Sequence, residues 1–151
     1  MFHESNNMNN MEHEQKLELK ELAAKNFETW NKALLSHNAH EVASLYAADA
    51  SFLPTLNPKF KKGREGAEAY FEHFLEKNPE GKVIEEAVQK TSVDKDGNIS
   101  GFLHSGMYNF ETGVPDNHQT VEARFTFLWQ KDEAGDWKIE HHHSSLKPLD
   151  K

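Results

Sequence analysis

Leu19, Ala23, Phe27, Trp30 and Leu34 recur at spacings of four, four, three and four, which draws one apolar stripe along a helix. The pattern becomes helical at about Gln15. Residues 1–14, rich in Asn and Glu, read as a disordered or frayed lead-in. Asn38, followed three residues later by Glu41, reads as a capping box opening a short second helix with Val42, Leu45 and Tyr46 on its buried side. Asp49 to Leu53 is expected to be a short strand stopped by Pro54, and Thr55 to Gly63 a lysine-rich surface loop. Ala67, Tyr70, Phe71, Phe74 and Leu75 then give the inner side of a third helix, from about Arg64 to Lys77, ended by Asn78-Pro79-Glu80-Gly81.

After Gly81 the period changes. Residues 82–93 and 99–112 read as strands joined at Asp94-Lys95-Asp96-Gly97-Asn98, whose Asp-Gly suits a hairpin turn. Gly113-Val114-Pro115-Asp116 closes the second of them. In residues 119–131 Ala123, Phe125, Phe127 and Trp129 alternate with Glu122, Arg124, Thr126 and Leu128, and a turn at 132–136 leads to a last strand from Trp137 to Ser145. Helices followed by long strands imply an α+β fold, with three N-terminal helices packed on one face of a strongly curved antiparallel sheet. Residues 15–151 read as a single domain, with no repeat or linker. The sheet face away from the helices is expected to meet another subunit, and the aligned Phe125, Phe127 and Trp129 are read as that interface.

Composition narrows the partners. Twenty-five acidic residues against seventeen Lys plus Arg give a formal charge of −8, which disfavours nucleic acid. No stretch reads as a signal peptide or a membrane span. The absence of cysteine removes disulfides, thiolate zinc sites and a cysteine nucleophile, and fits the cytoplasm. Arg64 and Arg124 are the only arginines.

The run Arg124-Phe125-Thr126-Phe127-Leu128-Trp129, then Gly135-Asp136-Trp137-Lys138-Ile139, then His141-His142-His143-Ser144-Ser145 and Pro148 resembles the association (hub) domain of calcium/calmodulin-dependent protein kinase II and its stand-alone bacterial relatives. The similarity reaches back through Leu45-Tyr46-Ala47-Ala48-Asp49-Ala50 to Trp30. It places the chain within the nuclear transport factor 2-like (cystatin-like) superfamily, which includes SnoaL-like cyclases and ketosteroid isomerases. The resemblance implies a cone-like fold whose sheet backs form dimers, and rings of dimers in the animal kinases. Two departures stand out. Ser144 occupies a position where the animal hub carries one of the arginines that hold a small carboxylate. A ketosteroid isomerase-like base would fall in Leu53-Pro54-Thr55, and its helix tyrosine near Trp30.

Strand alternation puts His141 and His143 on one face. The pair could hold zinc if His104 or His118 supplied a third ligand, or bond across strands and pack on Trp137; the family motif carries no characteristic metal, and none is expected. Arg124 could orient a carboxylate through a bidentate pair or bridge to Glu122. His104 and Tyr108 share a face with Phe102 and Phe110. With Trp30, Tyr46, Arg124, His141 and His143 they would make an aromatic-lined pocket with a few polar groups. His104 and Tyr108 are the catalytic candidates, although such a histidine is more often a satisfied core residue. The reading that follows is a self-associating module, a homodimer or larger ring, with a pocket for a small organic ligand and no cofactor. The alternative is a SnoaL-like or ketosteroid isomerase-like acid–base enzyme acting without a metal on a small apolar substrate. Missing acid–base residues at the familiar places weigh against the enzyme.

Overall fold

A computed structural model describes residues 2–113 and 117–150, with side chains from residue 9 onward. Its first helix, α1, spans Phe2–Leu35, so the segment read as a frayed lead-in is helical and continuous with the rest. The reason is local. The chain has no proline before Pro54 and no glycine before Gly63, and Met, Glu, Gln, Lys and Leu dominate residues 11–22. Residues 9–18 are exposed apart from half-buried Gln15, whose Oε1 accepts from Lys90 Nζ at 3.0 Å. Burial begins at Leu19 and follows the expected stripe through Ala23, Phe27, Trp30 and Leu34.

Asn38 caps α2 (Ala39–Ala43), its Oδ1 accepting from the His40 and Glu41 amides at 3.0 and 3.2 Å. The reciprocal half of the box is absent, because the Asn38 amide donates to Ser36 Oγ. Tyr46 lies not on this helix but at the head of β1 (Tyr46–Leu53). The stretch read as a loop contains β2 (Lys61–Lys62), which pairs with β1. Helix α3 (Gly63–Phe74) runs into a 3₁₀ turn at Leu75–Lys77.

Strands β3 (Glu80–Val93), β4 (Ile99–Thr112), β5 (Gln119–Lys131) and β6 (Trp137–Leu146) follow. Asp94 and Asp132 shape the two hairpin turns by accepting backbone amides, and Gly97 and Gly135 take the positive φ each turn needs. The connection expected at Gly113 to Asp116 lies, from 114 to 116, outside the described residues. The sheet order is β2-β1-β6-β5-β4-β3. It is not wholly antiparallel: β1 pairs parallel with β6, far away in sequence and bound by no hairpin. No described helix is long and apolar enough to cross a membrane.

The helices cover one sheet face. There Phe102, His104, Tyr108 and Phe110 of β4 meet Ala123, Phe125, Phe127 and Trp129 of β5. Phe125, Phe127 and Trp129, read as a subunit interface, are 3, 0 and 1% exposed and belong to this core. A flat aromatic row buries more apolar surface beneath α1 than its alternates on the same strand could, and that decides which face turns inward.

Two bulges set the rest of the geometry. In β3 the pairing jumps from Val83 to Glu85, so Ile84 is left without a counterpart on β4. Gly106 sits opposite this strand so closely that an added Cβ would fall 1.9 Å from the Glu85 carbonyl oxygen. In β6 the pairing jumps from Trp129–Ile139 to Leu128–His141, leaving Glu140 as the extra residue. Gly106→Ala is expected to lower folding stability by about 1–3 kcal/mol through backbone overpacking. Urea unfolding of the two proteins checks this, and an unchanged midpoint would show that β3 yields.

Candidate functional site

The Glu140 bulge decides which histidine enters the core. Trp137 and Ile139 face inward, so uninterrupted alternation would send His141 and His143 after them. The extra residue shifts the phase, and His142 and Ser144 turn inward instead, opposite Phe127 and Phe125. His142 is 2% exposed. Its ring stacks on Phe127 at 4.1 Å and on Phe52 at 4.7 Å between centroids, with Trp30 edge-on at 5.6 Å.

Both His142 nitrogens are used. Nδ1 lies 2.8 Å from the Tyr46 hydroxyl and Nε2 lies 3.2 Å from that of Tyr108. Trp30 Nε1 donates to Tyr46 at 3.2 Å, and Tyr108 donates to Ser144 Oγ at 2.5 Å. Ser144 in turn bonds to the Thr55 hydroxyl. Proton counting fixes the directions. Tyr108 spends its proton on Ser144, so its oxygen accepts from Nε2–H; a neutral imidazole then leaves Nδ1 bare, and Tyr46, which accepts from the Trp30 indole, donates to it. The chain Trp30–Tyr46–His142–Tyr108–Ser144–Thr55 thus runs one way through a neutral imidazole.

No member carries charge at working pH. Burial drives the His142 pKa well below the ordinary imidazole value, reinforced by the neighbouring His141 and His143. Burial likewise raises the Tyr46 and Tyr108 hydroxyls above the ordinary phenol value, against the lowering by their bonds to Trp30 and Ser144. Trp30, Tyr108, His142, Ser144 and Thr55, with Tyr70 and Phe71, surround a cavity with about 10 Å³ of free space. That is about the room one water needs.

Of the residues read as pocket-lining, Trp30, Tyr46 and Tyr108 come together. Arg124, His141 and His143 do not, because they lie on the outer sheet face. His141 Nδ1 is held there by Ser51 Oγ at 2.7 Å, across the strand pair. His104 is inward and 1% exposed but does not line the cavity; it stands edge-on to Phe125, with Nε2 3.2 Å from Glu86 Oε1. Burial lowers its pKa and Glu86 partly offsets this. Trp137 packs on Phe102 rather than on the histidines. His118, the other possible third metal ligand, lies 2.6 Å from Glu111 Oε2. Among the described residues no three metal-ligating side chains converge. His142 was not read as a site residue, and the bulge, invisible to alternation, turns it and Ser144 inward. Ser144 and Thr55 had been singled out only through the family resemblance, and Thr55 is brought in from just past the end of β1 by its bond to Ser144.

A curved sheet covered on one face by helices, with a small aromatic-lined cavity carrying a few hydroxyls and one imidazole, gives the nuclear transport factor 2-like fold. The model of the calcium/calmodulin dependent protein kinase II association domain matches residues 18–148, and the chain belongs to that family. A candidate association domain of the same description from Xanthomonas campestris is 38% identical, with 83% of this chain and 86% of that one covered and a TM-score of 0.75. An NTF2-like protein with a cystatin-like fold from Novosphingobium aromaticivorans shares the fold at 13% identity, 92% and 88% coverage and a TM-score of 0.66. A candidate ketosteroid isomerase from Parabacteroides distasonis does so at 20% identity, 79% and 83% coverage and a TM-score of 0.57. No curated protein matches.

The buried histidines make stability depend on pH with a definite sign. Their folded pKa values are depressed, so between the folded and unfolded values only the unfolded chain takes up the proton. Stability is then full above the unfolded value of about 6.5 and falls as pH drops below it, by up to about 1.4 kcal/mol per pH unit for each such histidine. Thermal unfolding from pH 8 to pH 5 is expected to show this decline, and His142→Gln to make it shallower by roughly one histidine's share. A parallel pair of curves would mean that His142 is protonated within the fold.

Proposed function

We propose that this chain is a self-associating module that pairs through the outer face of its sheet, as a homodimer or as the unit of a larger ring, and acts in the cytoplasm. The observation that carries the reading is an uncovered apolar centre. Cross-strand neighbours Leu103 of β4 and Leu128 of β5 are only half-buried on the outer face, and half-buried Met107 lies on the same face of β4 beyond Ser105. Family membership supports self-association, and the excess of acidic residues argues against nucleic acid as a partner. Residues 15–151 serve as the single functional domain. The inner cavity, which has room for about one water, is its ligand site only once the aromatic lining moves apart to make space for a small uncharged organic molecule.

One observation favours the alternative of a SnoaL-like or ketosteroid isomerase-like enzyme: Tyr108 and His142 form a hydrogen-bonded pair at the cavity. Their pKa values weigh against it. A general acid or base works best near the ambient pH, and burial pushes both groups away from that range.

Light scattering at micromolar concentration, with native mass spectrometry on the same sample, is the test. At least twice the single-chain mass is expected, reduced to one chain in Leu103→Glu with its circular dichroism intact. A wild-type monomer would end the pairing reading. A small molecule retained in the native spectrum, and lost in Tyr108→Trp, would identify what the cavity holds.

A further inference from the structure

The outer face also carries a cationic hollow that neither the apolar centre nor the inner hydrogen-bond chain uses. Cross-strand pairing sets Arg124 beside Ser145, and Thr126 beside His143. These four, with Phe125, line a depression of about 220 Å³. Arg124 makes no ion pair among the described residues, in a chain of formal charge −8 that offers many carboxylates. Glu122 of β5 and Glu85 of β3 lie along the same face and do not line the hollow. What does line it is a guanidinium with five N–H donors in a planar fork, an imidazole, and two hydroxyls.

We propose that this hollow is a binding site for a small oxyanion, a carboxylate or a phosphate group. A guanidinium meets either one through two parallel N–H···O bonds. Ser145 and Thr126 supply further donors from the two strands, and His143 closes the side opposite Arg124. The volume suits the anionic group with a short carbon chain and is below that of most drug-sized sites. The site is distinct from the inner cavity, which holds neither arginine nor carboxylate. Its effect on assembly rests on the pairing reading above. Across a two-fold axis the same patch is presented by both copies, so covering Arg124 strands a desolvated cation unless an anion accompanies it. The oxyanion supplies that counter-charge, and binding and pairing reinforce one another.

The experiment is an NMR titration of the full chain with inorganic phosphate and, separately, with acetate, against chloride at equal ionic strength. Saturable shifts of the amides of residues 124–126 and 143–145 are expected, with at least a tenfold weakening in Arg124→Gln, whose exposed side chain leaves the fold intact. Response to phosphate alone would assign the site to phosphate groups, and response to acetate alone to carboxylates. No saturation in the millimolar range, or equal affinity in Arg124→Gln, overturns the site. The Leu103→Glu variant separates the two claims. Binding retained in that variant as a monomer supports a site built within one chain. Loss of binding there, despite an intact fold, overturns it and makes the hollow a product of the interface. A wild-type mass that stays the same with and without whichever of the two anions binds overturns the coupling to assembly and leaves pairing to be judged on Leu103→Glu alone.

Discussion

His142 sits between the rings of Phe52 and Phe127, and each of its nitrogens is taken by a tyrosine hydroxyl. That arrangement requires an uncharged imidazole, since burying a cation among these rings without an acid beside it would cost several kilocalories. Much else follows from it. Tyr46 must stand at the start of β1, which draws that strand alongside β6 in parallel. Trp30 must reach Tyr46 from α1, which fixes the helix over the sheet. Tyr108 must hand its proton to Ser144, which links the far end of β6 to Thr55 after β1. One neutral ring therefore ties together α1, β1, β4 and β6.

The same ring explains how this chain differs in chemistry from the arginine-bearing pocket that its sequence resemblance implies. With Ser144 in place of a guanidinium, the inner cavity has hydroxyls and an imidazole that satisfy one another. An anion would find no counter-charge there. Arg124 of β5 instead lies exposed on the opposite side of the sheet.

Much of the fold could be read from spacing alone. The apolar stripe of α1, the Asp-Gly hairpin and the alternation along β5 are short-range signals, and each appears where its period places it. Trp30 and Tyr108 were legible for the same reason, whereas Tyr46 was expected to be buried but on the second helix rather than at the head of β1. Face assignments were not. Alternation divides a strand into two sets without saying which set meets the helices, so the aromatic row of β5 was put on the wrong side. For β6 it failed altogether, because one unpaired residue at Glu140 changes the phase between Ile139 and His142. Arg124, His141 and His143 were misplaced by these two gaps, and His142 overlooked. The parallel pairing of β1 with β6 joins segments some ninety residues apart and leaves no local trace.

The bulge before the three histidines gives their repetition a meaning. Strands ordinarily suffer from insertion or deletion, because a shift of one position exchanges every inner side chain for an outer one. Here the residues on either side of His142 are also imidazoles. Should the extra residue at Glu140 be lost or moved, a histidine of identical shape would still arrive beneath Trp30 and between the two phenylalanines. The triplet thus acts as spare parts along the strand, letting the most constrained position of the core survive a change of frame that would empty it in most sheets.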